Sequence, residues 1–155
     1  MNLSGQRALV TGASSGLGKH FAGVLASAGA SVTLAARRMD KVQEEAEKLP
    51  RAQAATLDVT DPDSVAELFD GTTFDVVINN AGIALDGAAI DMEIADFRQV
   101  IDTNLTGVFA VALVAVAGNR KVLIVGGVLL VPSVIFAVFE VSTHWSQSLV
   151  GQGAA

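Results

Sequence analysis

Short apolar runs alternate with segments of helical periodicity over the first 110 residues of the chain. The runs at 7–10, 31–35, 54–58 and 74–78 predict buried strands. Between them, the spacing of apolar side chains predicts helices over 15–28, 40–49 and from Asp61 through Phe69. Strands and helices that alternate at this rhythm indicate an α/β fold, in which helices cover both faces of a parallel sheet.

A longer helix is predicted after the fourth strand, with Asp91 as its N-terminal cap. Its expected apolar face is a stripe at helical spacing, made of Ile94, Phe97, Ile101, Leu105 and Val108. Asn104 falls beside this stripe, on a neighbouring face. The same helix is expected to continue over 108–117 and to end at a turn over 118–121.

The first predicted strand leads directly into a glycine-rich stretch at 11–18, Thr-Gly-Ala-Ser-Ser-Gly-Leu-Gly. A turn of this kind between a strand and a helix forms a phosphate cradle, because the free N–H groups of the helix N-terminus attract an anion. Gly12 permits the tight turn, Gly16 lets the backbone approach a pyrophosphate, and Gly18 lets the helix pack near the strand. A plain strand-to-helix turn can use the same glycines, so the motif alone leaves both interpretations open.

The second predicted strand is followed by Arg37 and Arg38, where an NAD-selective site places an acidic residue. A guanidinium at this place pairs with the 2′-phosphate of NADP(H), so the sequence favours NADP(H) over NAD(H), with Arg37 as the main candidate. The alternative is that the two arginines are solvent-exposed residues of a loop and bind no ligand.

Polar residues also follow the third and fourth strands, at Asp58 and at 79–82, Asn-Asn-Ala-Gly. Singly, each is typical of a cap or a turn. Because the carboxyl ends of parallel strands meet at one edge of a sheet, we expect these residues to lie with Gly12 and Arg37 in one ligand site.

Composition narrows the classes of function. The 155 residues fit a single domain, and the net charge of −6 makes nucleic acid an unexpected partner. The chain contains no cysteine and two histidines far apart, which predicts no disulfide and no metal site. No basic stretch followed by an apolar run opens the sequence, so a cytoplasmic location is expected.

Together these motifs closely resemble the short-chain dehydrogenase/reductase family over about residues 3–110. The resemblance implies a Rossmann-like doubly wound parallel sheet that binds NAD(P)(H) for hydride transfer on an alcohol or carbonyl. It assigns the pyrophosphate turn to Gly12, Gly16 and Gly18, and an adenine contact to Asp58 and Val59. It further implies that Ser14, Ser15 and Leu17 line the cofactor site, that Asn80, Ala81 and Gly82 flank the ribose, and that Asn104 is the catalytic asparagine of a proton relay.

The rest of that relay does not match. The family uses a tyrosine, a lysine four residues later and a serine, but this chain contains no tyrosine. His-Trp-Ser-Gln-Ser stands at 144–148 instead, Lys121 is the last lysine, and Ser133 lies in an apolar run after Pro132. A lone histidine such as His144 is more often an exposed bystander than an acid. We therefore expect cofactor binding without turnover; the rival interpretation is a non-catalytic module that senses or sequesters NADP(H).

The composition changes after residue 110, beyond which the only charged residues are Arg120, Lys121 and Glu140. We expect 1–110 to form the dinucleotide-binding part and 111–155 an apolar segment packed on the same domain, with self-association possible. In one interpretation 121–125 forms a fifth parallel strand beside the fourth, followed over 128–141 by a strand or a helix broken by Pro132. In another, the charge-free stretch 122–139 spans a membrane, with Arg120 and Lys121 on the cytoplasmic side. A frameshift would also replace the family pattern abruptly.

Overall fold

A computed structural model describes residues 2–85 and 92–126 of the chain. The strands of the sheet are β1 (Arg7–Thr11), β2 (Ser31–Ala36), β3 (Ala52–Thr56), β4 (Val76–Asn79) and β5 (Leu123–Gly126). The first three helices are α1 (Gly16–Ser27), α2 (Met39–Ala46) and α3 (Pro62–Phe69). A long helix follows β4 and has three parts, which are α4 (Ile94–Ile101), a π-turn (Asp102–Gly107) and α5 (Val108–Gly118).

All five strands are parallel, in the order β3-β2-β1-β4-β5. The predicted α/β fold is thus confirmed. The chain moves outward from β1 to β3 in one direction and then crosses back to β4 on the other side of β1. In such sheets, ligands bind at the carboxyl ends of the strands where the winding reverses, here between β1 and β4.

The core has two halves because the sheet is covered on both faces. On one face Val10 and Leu34 pack with Leu25 of α1 and Val42 of α2. On the other face the buried residues are Leu9, Val65, Val77, Val111 and Ala115, which come from β1, α3, β4 and α5. Alternate residues of each strand enter opposite halves, which explains why these strands are apolar almost throughout.

The third strand is displaced from its predicted position. It covers Ala52–Thr56, not 54–58, because its register pairs Val32 with Ala52 and Ala36 with Thr56. The chain then leaves the sheet, and the Asp58 carboxylate accepts hydrogen bonds from the backbone N–H and the hydroxyl of Thr60, at 2.9 and 2.7 Å. These contacts form a turn before Asp61, which caps α3 as predicted by accepting from the Asp63 N–H at 3.0 Å.

The expected apolar face of the long helix is wrong. Ile94, Phe97 and Leu105 are 65, 43 and 52% exposed, whereas Asn104 is only 8% exposed and faces inward. A 3.6-residue period cannot be extended through a π-turn, in which hydrogen bonds join residues five apart. In addition, α5 is apolar on all sides, so its sequence does not indicate which side is buried. The helix begins at Ile94 after Glu93, and the predicted cap Asp91 lies outside the described residues.

The predicted fifth strand is confirmed, since β5 pairs with β4 from Val76↔Leu123 to Asn79↔Gly126. A membrane helix beginning at Val122 is therefore wrong for its first five residues, and 127–139 lies outside the described residues. Within the described ranges, one helix, Ile94–Gly118, is long and apolar enough to span a membrane, with a mean hydropathy of 1.9. Its α5 part packs on β4 and α3. The expected boundary at residue 110 falls inside α5.

Candidate cofactor-binding site

A cavity of about 370 Å³ opens at the carboxyl ends of the strands, beside the point where the winding reverses. Eight residues predicted for the cofactor site line it, namely Gly12, Ser14, Ser15, Arg37, Asp58, Val59, Ala81 and Gly82. Arg38, the second candidate for the 2′-phosphate, lines it as well, and four further lining residues were not predicted as contacts: Ala36, Leu57, Ile83 and Thr103. The strand ends thus converge as the parallel topology requires.

The glycine turn has the close packing expected of a cradle. Gly12 has a φ of +65°, and a Cβ there would lie 2.8 Å from the Ala81 Cα. At Gly18, a Cβ would lie 2.6 Å from the Asn80 Nδ2. Gly16 differs, because its φ is +57° but no atom lies within 4 Å of the place where its Cβ would be. The turn is therefore packed against the sheet at Gly12 and Gly18 and open at Gly16, next to the free N–H groups of α1.

Four predicted residues do not line the cavity. Gly16 borders a neighbouring groove between α1 and α2, and Leu17 is 66% exposed. Gly18 is buried behind the turn. The Asn80 side-chain amide donates to the carbonyl oxygens of Thr11 and Gly12, at 3.1 and 3.4 Å, so it holds the turn from below.

Thr11 organises this edge of the sheet, although sequence reasoning gave its side chain no role. Its hydroxyl oxygen accepts the backbone N–H groups of Asn80 and Ala81, at 2.9 and 2.8 Å, and the hydroxyl donates to the Asn79 Oδ1 at 3.4 Å. The residue is fully buried. A buried polar side chain needs such partners, so a threonine that ends an apolar strand was the available signal.

The two arginines have different neighbours. Arg38 reaches across the cavity mouth, where its Nη2 donates to the Ser14 Oγ at 3.3 Å. Arg37 lies close to Asp58, whose pKa is held below its usual value first by the hydrogen bond from the Thr60 hydroxyl, then by the Thr60 N–H and the charge of Arg37. Asp58 is therefore a carboxylate at neutral pH, and the site presents one anionic and two cationic side chains.

Asn104 joins the long helix to the loop after β4. Its Nδ2 donates to the Ile83 carbonyl and its Oδ1 accepts from the Ile83 N–H, both at 2.8 Å. The side-chain amide thus forms the same pair of hydrogen bonds with Ile83 that the backbone of a neighbouring strand would form. Both its oxygen and its nitrogen are hydrogen-bonded. Thr103, the preceding residue, lines the cavity.

The other candidates from the sequence lie elsewhere. Lys121 precedes β5, at the amino end of the sheet and away from the cavity. Ser133 and His144 lie outside the described residues. Within residues 2–85 and 92–126, no group of three His, Asp or Glu side chains is placed to hold a metal ion.

Comparison with known proteins gives a consistent result. The sequence model of one family, short chain dehydrogenase, matches residues 6–128, which extends past the expected limit at 110. The 3-oxoacyl-(acyl-carrier-protein) reductases of Vibrio cholerae and Thermotoga maritima are 35 and 37% identical over 78 and 75% of this chain, and over 52 and 51% of their own lengths. A short-chain type dehydrogenase/reductase structure from Mycobacterium marinum aligns with a TM-score of 0.72 and 40% identity, over 76% of this chain and 50% of that one.

The chain thus spans about half the length of the curated relatives it matches. The family match covers most of the chain, and the parallel sheet with its glycine turn agrees with it. This protein belongs to the short-chain dehydrogenase/reductase family and has a Rossmann-like fold.

Proposed function

We propose that this chain binds NADP(H) in the cavity at the carboxyl ends of β1, β2 and β4, as the cofactor half of a short-chain oxidoreductase. The observation that carries the proposal is the glycine turn, whose Gly12, Ser14 and Ser15 line the cavity. Next to Ser15, open space lies over Gly16 at the N-terminus of α1, toward the neighbouring groove, and the first turn of that helix contains no acidic side chain. An anionic pyrophosphate there gains the free N–H groups and meets no carboxylate of that turn.

The preference for NADP(H) over NAD(H) rests on the residues that follow β2. Ala36, Arg37 and Arg38 all line the cavity, and the end of this strand has no carboxylate to accept the ribose hydroxyls. Both guanidinium groups belong to exposed residues and can turn toward a 2′-phosphate. Asp58 and Val59 line the same cavity, where we place the adenine.

The nicotinamide end is proposed to lie toward Ala81, Gly82 and Thr103, on the other side of the glycine turn. When bound, the cofactor supplies the hydride for reaction with a carbonyl or alcohol, in keeping with the 3-oxoacyl reductases among the relatives. Asn104 keeps the loop at Ile83 in place, which shapes this end of the site. The acid that would protonate the product alkoxide is a tyrosine in the family, and this chain has none.

The direct test is a fluorescence titration of the purified 155-residue chain with NADPH and with NADH. We expect saturable binding of both, with the tighter dissociation constant for NADPH. The absence of saturable binding of either nucleotide would refute the proposal. Fractionation of the expressing cells tests the cytoplasmic location at the same time, since recovery in the membrane fraction would favour an anchored domain instead.

The module that senses or sequesters NADP(H) remains the second candidate, because the absence of tyrosine favours it as much as it favours an incomplete enzyme. Both bind cofactor without turnover. Recovery of carbonyl reduction after the reading frame of the tail is restored would favour the oxidoreductase over the binding module.

A further inference from the structure

The side chain of Asn79, the last residue of β4, is 1% exposed and links three parts of the molecule. Its Oδ1 accepts the hydroxyl of Thr11 at the end of β1, at 3.4 Å. Its Nδ2 donates to the backbone carbonyl of Val108 at 2.7 Å. Asn79 is absent from the lining of the cavity, so any effect on a bound cofactor is indirect.

Val108 is the residue at which the π-turn Asp102–Gly107 passes into α5. A π-turn inside an α-helix is rare and is frequently found at functional sites. This turn is supported on two sides. Asn79 donates to its C-terminal end, and Gly107 lies so close to Val59, in the turn that follows β3, that a Cβ would come within 2.7 Å of the Val59 Cγ2.

The π-turn carries one residue that lines the cavity and one that holds a loop of the cavity wall. Thr103 lines the cavity directly, and Asn104 pairs its amide with the backbone N–H and carbonyl of Ile83. The loop from Ala81 to Ile83 is therefore held at one end by Thr11 and at the other by Asn104. The phase of the π-turn, meaning the rotation of its residues about the helix axis, sets the direction of the Asn104 side chain. A change in this phase would turn Asn104 away from Ile83.

We propose that Asn79 is a positioning residue for the cofactor site. It holds the Val108 carbonyl and so fixes the phase of the π-turn, which in turn aims Asn104 at Ile83 and keeps the loop 81–83 against the cavity. Its effect on cofactor rests on the proposed function, whereas its effect on Ile83 does not.

The chain contains a matched control at the other end of the same two elements. Asn119 ends α5, and its Nδ2 donates to the carbonyl of Phe74, just before β4, at 3.0 Å. The chemistry is the same as that of Asn79, a side-chain amide that ties the long helix to the β4 segment. The location differs, because Asn119 is remote from the π-turn and the cavity.

The test compares Asn79→Ala with Asn119→Ala, with two readouts. The first is amide hydrogen exchange at Ile83, measured by NMR without cofactor, with unfolding in urea measured alongside. We expect both variants to lose stability, but only Asn79→Ala to exchange the Ile83 N–H faster than global unfolding explains, by about tenfold or more. Equal protection of Ile83 in the two variants would overturn the proposal.

The second readout is the dissociation constant for NADPH. We expect about a tenfold loss of affinity in Asn79→Ala and less than about twofold in Asn119→Ala. Adding Asn104→Ala to Asn79→Ala is expected to reduce the affinity for NADPH little further, because Asn79 is proposed to act through Asn104. If the losses of affinity in the two single variants add up in the double variant, the two side chains act independently and the proposal is contradicted. If Asn79→Ala does not fold, Asn79→Ser serves instead, since its hydroxyl can meet Thr11 but cannot reach Val108.

The two readouts separate the two proposals. A parent chain that does not bind NADPH refutes the proposed function, while the exchange at Ile83 still tests the role of Asn79. Binding by the parent with unchanged exchange in Asn79→Ala refutes the positioning role alone.

Discussion

At the scale of single residues, Arg37, Arg38 and Asp58 provide the charged side chains that line the cavity at the carboxyl edge of the sheet. The pKa of Asp58 is lowered mainly by the Thr60 hydroxyl and in smaller part by Arg37. Asp58 thus keeps its charge at neutral pH near the positive Arg37 at the end of β2. The energetic consequence is small for a half-buried group at the surface, but the placement of charge matters for an anionic ligand.

The first prediction at this scale concerns Arg37. The substitution Arg37→Asp should reverse the preference, because it removes a charge-assisted partner of the 2′-phosphate and supplies an acceptor for ribose hydroxyls. We expect NADPH to lose about 1–3 kcal/mol of binding free energy while NADH gains or stays equal. Fluorescence titrations of both nucleotides measure the change.

Arg51→Asp is the matched control, since Arg51 is exposed and precedes β3 at the opposite end of the sheet. It changes the net charge equally and should leave the ratio of the two affinities unchanged. Equal affinities for NADPH and NADH in the parent chain would contradict the role of Arg37, and a reversal produced only by Arg38→Asp would transfer that role to Arg38, which already contacts Ser14.

At the scale of elements, the glycine turn and α1 act together. The glycines of the turn have different surroundings: Gly12 and Gly18 have no room for a side chain, whereas the space at Gly16 is open. Gly18 therefore serves the packing of α1 against the strand ends, while Gly16 leaves space at the helix N-terminus. The close packing at Gly12 and Gly18 agrees with a tight turn and with helix packing, whereas the pyrophosphate role of Gly16 stays a prediction.

Replacing Gly16 with valine is the corresponding test. We expect Gly16→Val to abolish NADPH binding, because its side chain would occupy the space proposed for the pyrophosphate. The positive φ adds strain of about 1–2 kcal/mol, so circular dichroism should show the same fold with a modestly lower melting temperature. Gly23→Val is the control within α1, since open space also surrounds Gly23. Binding retained in Gly16→Val would mean that the turn is only structural.

The long helix shows why an element can be found from sequence while its orientation is not. Its apolar composition predicts a helix, and the structure has one from Ile94 to Gly118 in three parts. The π-turn shifts the phase, so the buried side follows Asn104, Gly107, Val111 and Ala115 and leaves Leu105 and Phe109 exposed. The phase of such a turn depends on Asn79 and Val59, which are remote in sequence.

At the scale of the whole molecule, the question is whether the chain contains the acid that a reaction with bound cofactor would need. Hydride transfer to a carbonyl produces an alkoxide, and a positioned acid contributes typically about 10² to 10⁴ in rate. We predict that the purified chain has no measurable dehydrogenase turnover, because it contains no tyrosine and Lys121 lies away from the cavity. The assay is a panel of ketones and secondary alcohols with NADPH or NADP⁺, followed at the nicotinamide absorbance.

Two controls interpret that assay. Turnover that disappears in His144→Ala would contradict the prediction and identify a histidine acid. Translation of the coding DNA in all three frames tests the frameshift hypothesis for the tail. A Tyr-x-x-x-Lys pattern in another frame beyond the codon for Ala112 would support it, and restoring that frame should then restore activity.

The sequence by itself determined the alternation of strands and helices, a parallel sheet of at least four strands and the cluster of polar residues at its carboxyl edge, whereas the structure decided in favour of the fifth strand. These follow from local periodicity and from the rule that parallel strands end together, so Gly12, Arg37, Asp58 and Ala81 could be assigned to one site. Only the tertiary structure decided the roles of Thr11 and Asn79, the contact of Arg38 with Ser14, and the inward face of Asn104. Their partners lie 21 to 70 positions away in the chain. The physical reason is that hydrogen bonds between residues so far apart in the chain depend on how the whole sheet packs, which no local sequence pattern reveals.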